Sequence, residues 1–578
     1  MSVGAFSRSM MRVAAGLLAL LVWPAAALGD VSIEGVDEEV RTGILAFIAL
    51  DELPCDAPRW WVQRGYRDAV EGSLRALETY GYYRATVQAD LVWGEECWTA
   101  SIDVVPGEPV RLGAVVIEVS LPLADEPDMA ALLGNPGLAS GERFSHASYE
   151  TAKGRVLDLA RDLGYLDAAF NRNRVLVDAE AGLADVELAL ESGLRYRFGP
   201  IEIEQDDLRP KLFDRFLTVS EGEDFDGREL RDTQRRLMES DYYDRVLVAP
   251  VLDRREDGRV PISVQADASS RRNILLGAGF ATDTGPRVRA DARYRRVNRK
   301  GHRARGGLLG SKVLSEANVE YGLPYGDPTH QWLILKGSVA YEETETARSF
   351  RQTVGVARTH RRGDHWTETN YVEYRFEDFD VGDQEGDSDL LLIGTSWSYT
   401  STVDAPRALS GRTITFDVHG ASKALASDTD FLKLVVHGKQ IVPLGERFRL
   451  IGRISSGWTF KSDFDELPPS ERFFAGGDSS VRGYEYESLG PEENDAVVGG
   501  TRLLTGSLEL DMLIRPKWSV ALFVDSGSAF NDSPDFSTGV GAGLRWYSPV
   551  GPIRLDLAHP LDDPDNDFRI HISFGPDL

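Results

Sequence analysis

Gly539-Val540-Gly541-Ala542-Gly543-Leu544-Arg545-Trp546 is the stretch that decides the fold. Val540, Ala542, Leu544 and Trp546 take every second position, and Gly539, Gly541, Gly543 and Arg545 fill the places between. A period of two belongs to a β-strand, whose successive side chains point to opposite faces; a helix repeats near 3.6. A dinucleotide loop needs its glycines in a turn between strand and helix. The three glycines therefore read as one small-residue face of a strand.

Segments of the same kind run from Arg271 to Leu578. Val288, Ala290, Ala292 and Tyr294 alternate with Arg287, Arg289, Asp291, Arg293 and Arg295. Ile414, Phe416 and Val418 alternate with Thr413, Thr415, Asp417 and His419, and Phe568, Ile570, Ile572 and Phe574 with Arg569, His571 and Ser573. A soluble sandwich would alternate in the same way. Three features favour a membrane. The segments are about ten residues long, as a tilted strand crossing a bilayer requires. About sixteen of them fit, at roughly 19 residues for each strand with its connection, in keeping with even-numbered outer-membrane barrels. Tyr294, Tyr321, Trp397, Tyr399 and Trp546 fall near segment ends, where interfacial girdles lie. Lipid leaves no unpaired backbone, so such a sheet must close. The expectation is an all-β transmembrane barrel of about 16 antiparallel strands over 269–578.

Upstream the period changes. Three segments each run from a helical stretch through a Gly/Asp-Tyr turn into a strand. Val70, Leu74 and Leu77 precede Gly81-Tyr82-Tyr83; Val156, Leu159 and Leu163 precede Gly164-Tyr165; Leu230 and Leu237 precede Asp241-Tyr242-Tyr243. The turns recur about every 80 residues, as do Gly141-Glu142-Arg143-Phe144 and Gly222-Glu223-Asp224-Phe225. Each unit reads as strand, helices, strand, strand, with expected bounds of 30–107, 108–193 and 194–268. Exposed sheet edges on such an arm offer places for a client strand to add.

The N-terminal run from Val13 to Leu28 follows Arg8 and Arg12 and ends in Ala25, Ala26, Ala27 and Gly29. That order is a secretory leader over 1–29; the alternative, a membrane anchor, needs a longer run. In an exported chain Cys55 and Cys97 read as one disulfide, with two free buried thiols as the alternative. A formal net charge of −28 argues against nucleic acid as a partner. The nine histidines show no metal-ligand spacing, and no catalytic constellation is legible. Neither a cofactor nor an enzymatic activity is expected.

The longest irregular stretch of the barrel, from about Lys461 to Val497, contains Arg472-Phe473-Phe474-Ala475-Gly476-Gly477-Asp478-Ser479-Ser480-Val481-Arg482-Gly483-Tyr484. Downstream, Phe523, Asp525 and Gly527 share a face opposite Val520, Leu522 and Val524, and Glu509 lies opposite Leu508 and Leu510. Two carboxylates, Asp525 and Glu509, thus point inward, where a folded-in loop could bring Arg482. Spacing alone favours the plainer reading, in which these are ordinary lumen charges and Arg482 is solvated.

Val481-Arg482-Gly483-Tyr484 and Phe523-Val524-Asp525-Ser526-Gly527 resemble the VRG(F/Y) and FxDxG motifs of the BamA/TamA superfamily of outer-membrane assembly barrels. Gly543 to Ile553 is similar to that family's penultimate strands, and the repeats resemble POTRA domains in β-α-α-β-β order. Three such repeats place the chain nearest the TamA branch, the barrel subunit of a translocation and assembly module. The resemblance implies an outer-membrane factor that assists insertion or translocation of autotransporters and other barrel proteins. It implies POTRA domains in the periplasm, unfolded outer-membrane clients, a lipid bilayer and a TamB-like inner-membrane-anchored partner. It implies that Arg482 locks the loop on Asp525 and Glu509. It also implies a lateral seam between the first strand (273–282) and the last (568–575), weakened by Gly277 and Gly279 on one side and Gly575 on the other. Phe574 would stand in for the terminal aromatic residue. A passive or two-partner-type secretion pore is the alternative.

Overall fold

The computed structural model describes residues 28–95, 97–281, 285–344, 347–402, 407–461, 463–548, 551–563 and 568–574. The leader expected over 1–29 lies almost wholly outside them, as do Thr282 and Gly575. The chain forms two compact units. One comprises Met1–Pro200, Glu221–Arg228 and Val251–Pro261; the other comprises Ile201–Ser220, Glu229–Pro250 and Ile262–Leu578.

The first α/β module runs β1 (Asp30–Glu34), α1 (Glu38–Phe47), α2 (Arg59–Thr79), β2 (Thr86–Trp93) and β3 (Trp98–Val105). Its sheet has the order β1-β3-β2. α1 starts where the Asp37 carboxylate accepts the Val40 amide at 2.9 Å, satisfying a donor the first turn leaves orphaned. Ile44, Val62, Leu77 and Ile102 fill the core between helices and sheet. Cys55 and Cys97 are joined by a disulfide that ties the segment before α2 to the start of β3.

The second module repeats the order with β4 (Arg111–Val119), α3 (Pro127–Gly134), α4 (His146–Asp162), β5 (Ala169–Asp178) and β6 (Leu183–Glu191). The third has β7 (Arg197–Glu204), α5 (Pro210–Phe213), α6 (Gly227–Glu239), β8 (Tyr243–Pro250) and β9 (Arg259–Ala268). Their sheets run β4-β6-β5 and β7-β9-β8.

The repeated turn has a structural purpose. Gly81, Gly164 and Asp241 all sit at positive φ, 89°, 92° and 59°. A Cβ on Gly81 would lie 2.5 Å from the Phe144 carbonyl oxygen, so only glycine fits there. The Gly81 and Gly164 carbonyls accept from the Val110 and Tyr196 amides at 2.9 Å, just where the following module begins. Each turn tyrosine then lies under an arginine from further along the chain: Tyr82 under Arg143 at 5.9 Å, Tyr165 under Arg195 at 6.0 Å, and Tyr242 under Arg303 at 4.7 Å. Arg303 also stacks on Trp332 at 4.2 Å, and the Tyr242 hydroxyl donates to the Gly301 carbonyl at 2.5 Å.

The barrel is a 16-stranded antiparallel sheet. Its strands are β10 (Arg272–Ala281), β11 (Gly285–Tyr294), β12 (Arg303–Gly310), β13 (Leu314–Pro324), β14 (Gln331–Glu343), β15 (Ala347–Arg362), β16 (Trp366–Val381) and β17 (Gln384–Thr402). The second half has β18 (Gly411–Ala421), β19 (Phe431–Leu444) and β20 (Phe448–Lys461). After an inserted hairpin, β21 (Glu492–Glu493) and β22 (Ala496–Val497), it ends with β23 (Arg502–Arg515), β24 (Trp518–Phe530), β25 (Ser537–Ser548), β26 (Gly551–Pro560) and β27 (Arg569–Phe574). Apolar side chains cover the outside: Val288, Val354 and Leu522 are each more than 60% exposed. Charged ones turn inward, where Glu377, Asp511, Asp525 and Arg545 are buried. This inverts the burial of a soluble protein and requires a hydrocarbon surround. Every strand pairs with its neighbour in sequence, apart from the hairpin, and β10 and β27 form the two ends of the order. Residues of those two strands come within 8 Å of each other at Cα.

Candidate functional site: the loop held in the barrel lumen

The loop between β20 and β23 does not leave the barrel. It folds back along the inner wall, its limbs bridged at Phe473–Gly500 and Ala475–Leu489. Gly476, Gly477 and Gly483 take positive φ values of 105°, 95° and 105°, which allow the reversals. At the tip, Val481 is fully buried and Arg482 is 3% exposed.

Arg482 meets three carboxylates. Its Nε and Nη2 donate to the two oxygens of Asp525 at 2.6 and 2.9 Å, a bidentate pairing that lysine cannot make. Nη1 donates to Glu509 at 2.9 Å and to Asp556 at 3.0 Å, and the Arg482 amide donates to Asp525 at 3.1 Å. The Phe523 ring lies 3.5 Å from the guanidinium carbon. Burial disfavours the charged guanidinium, but the hydrogen bond and charge of Asp525, with Glu509 and Asp556, outweigh it and hold Arg482 protonated more firmly than usual. Arg545 completes the cluster, donating to Glu509 at 3.0 Å and pairing with Asp556.

The glycine face of β25 makes room for this tip. A Cβ on Gly539 would fall 1.9 Å from the Arg482 carbonyl oxygen, and one on Gly541 would fall 2.4 Å from the Phe523 ring. Gly527, opposite Thr505, would place a Cβ 2.8 Å from Val481. The Gly483 amide donates to Nε2 of His571 on β27 at 2.9 Å, which leaves Nδ1 as the protonated nitrogen facing Asp478. The Tyr484 hydroxyl donates to the Thr538 carbonyl at 3.3 Å. The tip therefore touches β23, β24, β25, β26 and β27.

The structure thus brings together Val481, Arg482, Gly483, Tyr484, Phe523, Asp525, Gly527 and Glu509. Four partners escaped the sequence reading: Asp556, Arg545, His571 and Asp478. Arg545 shares the inward face with Gly539, Gly541 and Gly543, and that alternation was the available signal. The seam residues are placed more simply. Gly277 and Gly279 pair with Arg289 and Arg287 of β11, and Phe574 pairs with Ile553 at the end of β27.

A second anchor, also absent from the sequence reading, holds the loop's entry limb. Glu471 is 1% exposed and meets Arg375 of β16, His419 of β18 at 2.9 Å and Lys433 of β19 at 3.3 Å. Burial would raise its pKa, but Lys433, the His419 hydrogen bond and Arg375 hold it well below the usual carboxylate range. Arg472 donates to the Leu467 and Val498 carbonyls at 2.7 and 3.0 Å and to Gln384 of β17 at 2.7 Å. The loop is thus a strut from β16–β19 to β23–β27.

A lipid-facing barrel with an arginine-anchored lumenal loop, preceded by β-α-α-β-β modules, defines an outer-membrane protein with periplasmic POTRA domains. Residues 303–577 match the Omp85 superfamily domain, and residues 30–106 match POTRA domain TamA domain 1. The barrel carries the Omp85 superfamily domain. The outer membrane protein assembly factor BamA of Nitratidesulfovibrio vulgaris is 24% identical over 569 residues, spanning 92% of this chain and 70% of that one. BamA of Neisseria meningitidis is 23% identical over 545 residues, spanning 81% and 67%. The crystal structure of BamA from Haemophilus ducreyi lacking POTRA domains 1–3 shares the fold at a TM-score of 0.67 and 16% identity, covering 80% of this chain and all but 1% of that one.

Proposed function

We propose that the protein assists insertion of unfolded barrel proteins into the outer membrane, without covalent chemistry. The observation that carries this is the strut. Arg482 and Glu471 tie the loop to two groups of strands, and β10 and β27 lie at the ends of the ladder order. A wall braced in this way stays organised while its seam parts. Among the described residues β27 pairs with β26 over Ile553–Ala558. Parting of the seam would offer free N–H and C=O groups to a client strand, the pairing that lipid otherwise forbids. The first module's match to a TamA POTRA domain supports the TamA branch, with autotransporters among the clients and a TamB-like partner on the arm.

A cavity of about 840 Å³ on the β10–β16 side of the lumen, lined by Arg289, Asp291, Arg305, Glu316, Lys336 and Glu373, favours a second reading, a secretion pore. Proteoliposomes separate the two. Faster appearance of folded client, lost in Arg482→Ala, supports insertion; a steady large conductance with no effect on client folding supports the pore. Affinity purification in mild detergent tests for the TamB-like partner.

A further inference from the structure

The two rims of the barrel carry opposite charge. β10 follows the third periplasmic module, so the turns after β11, β15, β19 and β23 lie on the periplasmic side. Arg299 and Lys300 are exposed on the first of these, Arg361 beside the second, Arg447 on the third, and Arg515 and Lys517 at the fourth. The exposed acids among the described residues of these four turns are Asp364 and Glu446. The outer rim is the reverse. Asp383, Asp428, Glu492, Glu493, Asp532 and Asp535 are exposed there, with Lys312, Arg348, Lys423 and Arg502 as counterweights. In a chain of net charge −28, the exposed charges of these four periplasmic turns are mainly basic.

The basic turns sit at a particular depth. The fourth reads Ile514-Arg515-Pro516-Lys517-Trp518, with Ile514 53% and Trp518 39% exposed and Trp518 stacked on Trp546 at 6.0 Å. The third reads Leu444-Gly445-Glu446-Arg447-Phe448, with Leu444 48% and Phe448 39% exposed. Each cation thus lies one or two residues beyond a lipid-facing side chain, about 3–7 Å along the strand. Trp366, Trp397 and Tyr399 pack together at the same level by the second turn. Aromatic rings mark the interface, and the cations just past them stand among the headgroups.

The basic turns follow the second, sixth, tenth and twelfth of the sixteen strands, so they are spread over more than half of the rim. Neighbouring strands lie about 4.8 Å apart, so the first three turns stand about 19 Å from one another along the rim and the fourth about 10 Å from the third. A protein partner docks on one side and would select for one patch. Separate sites along this arc, each just past the lipid-facing side chains, match a leaflet.

We propose that this periplasmic rim binds anionic phospholipid headgroups, a site at each basic turn, while the acidic outer rim excludes them. The two rims together fix which way the barrel stands and how deep it sits. Guanidinium and ammonium groups take headgroup phosphate by charge-assisted hydrogen bonds, which salt weakens.

The test uses the full-length protein in nanodiscs of phosphatidylcholine containing a minority of phosphatidylglycerol. Lipids retained on release are counted by native mass spectrometry. Phosphatidylglycerol should be enriched several-fold over its bulk share, and high salt should remove the enrichment. A variant carrying Arg299→Gln, Lys300→Gln, Arg361→Gln, Arg447→Gln, Arg515→Gln and Lys517→Gln should retain lipid at the bulk ratio while still shifting on heating in gels. Neutralising Glu492, Glu493 and Asp495 on the outer rim should not lower the enrichment. No enrichment in the wild type, or the same enrichment in the rim variant, overturns the proposal. Enrichment that survives salt also overturns it, because it would come from an apolar groove.

Discussion

Replacing Arg482 with alanine should free the loop tip from the barrel wall. The side chain is 4% exposed and faces Asp525, Glu509 and Asp556, whose side chains are 0, 11 and 5% exposed. With Arg482 gone, these three acids share Arg545 and the more distant Arg453, whose nearest approach to Asp525 is 3.8 Å. Removing one partner of a buried ion pair costs about 3–5 kcal/mol, most of it the desolvation left uncompensated on the survivors. Arg482→Lys keeps the charge but reaches fewer oxygens and gives up the bidentate grip on Asp525, so it should cost about 2 kcal/mol. Heating purified protein and following the mobility shift on gels reads the loss. For a domain of this size alanine should lower the midpoint by on the order of 5–10 °C, with lysine between alanine and wild type. Limited proteolysis should cut the loop in the alanine variant before the barrel unfolds. An alanine variant with the wild-type midpoint and an intact loop would refute the claim that this cluster holds the tip.

Gly539→Ala should displace the same tip by steric means, because its Cβ would enter the Arg482 carbonyl; overpacking of this kind costs about 1–3 kcal/mol, and the same gel shift and proteolysis report it. Glu487, on the loop, is pushed up to about 7 by burial and then by the like charge of Glu342. Its stabilisation of the docked loop is fully present below the free value near 4.3 and is lost as pH rises through about 7, so protease resistance should fall between pH 5 and 8. Glu487→Gln should flatten that dependence, and an unchanged slope would remove Glu487 as its source. Cys55→Ser with Cys97→Ser opens a connection of 42 residues, worth about 4 kcal/mol by chain entropy. Urea should unfold the first module earlier while the barrel's gel shift stays put.

The barrel was legible because lipid outside and water inside impose a strict period of two on every strand. Val540, Ala542, Leu544 and Trp546 announce it without reference to any neighbour. The module turns were legible for a similar reason: Gly81 and Gly164 need a backbone angle that other residues resist. Asp525 and Glu509 could be placed on the inner face by the same alternation, but alternation fixes a face and not a partner. Asp556, Arg545 and His571 join Arg482 only once β25, β26 and β27 curl beside the loop. Glu471 is harder still. It lies in irregular chain, and its three cations come from strands 38 to 96 residues upstream. No local spacing encodes that convergence; closure of the barrel produces it.

The insertion reading comes down to whether the edge between β10 and β27 must part. Cysteines placed on facing positions of those strands, in the full-length protein, can be joined by oxidation and released by reductant in the same sample. Joined protein should remain folded, as judged by its gel shift, and should lose client insertion in proteoliposomes until reductant restores it. Full insertion activity with the strands covalently joined would contradict the account.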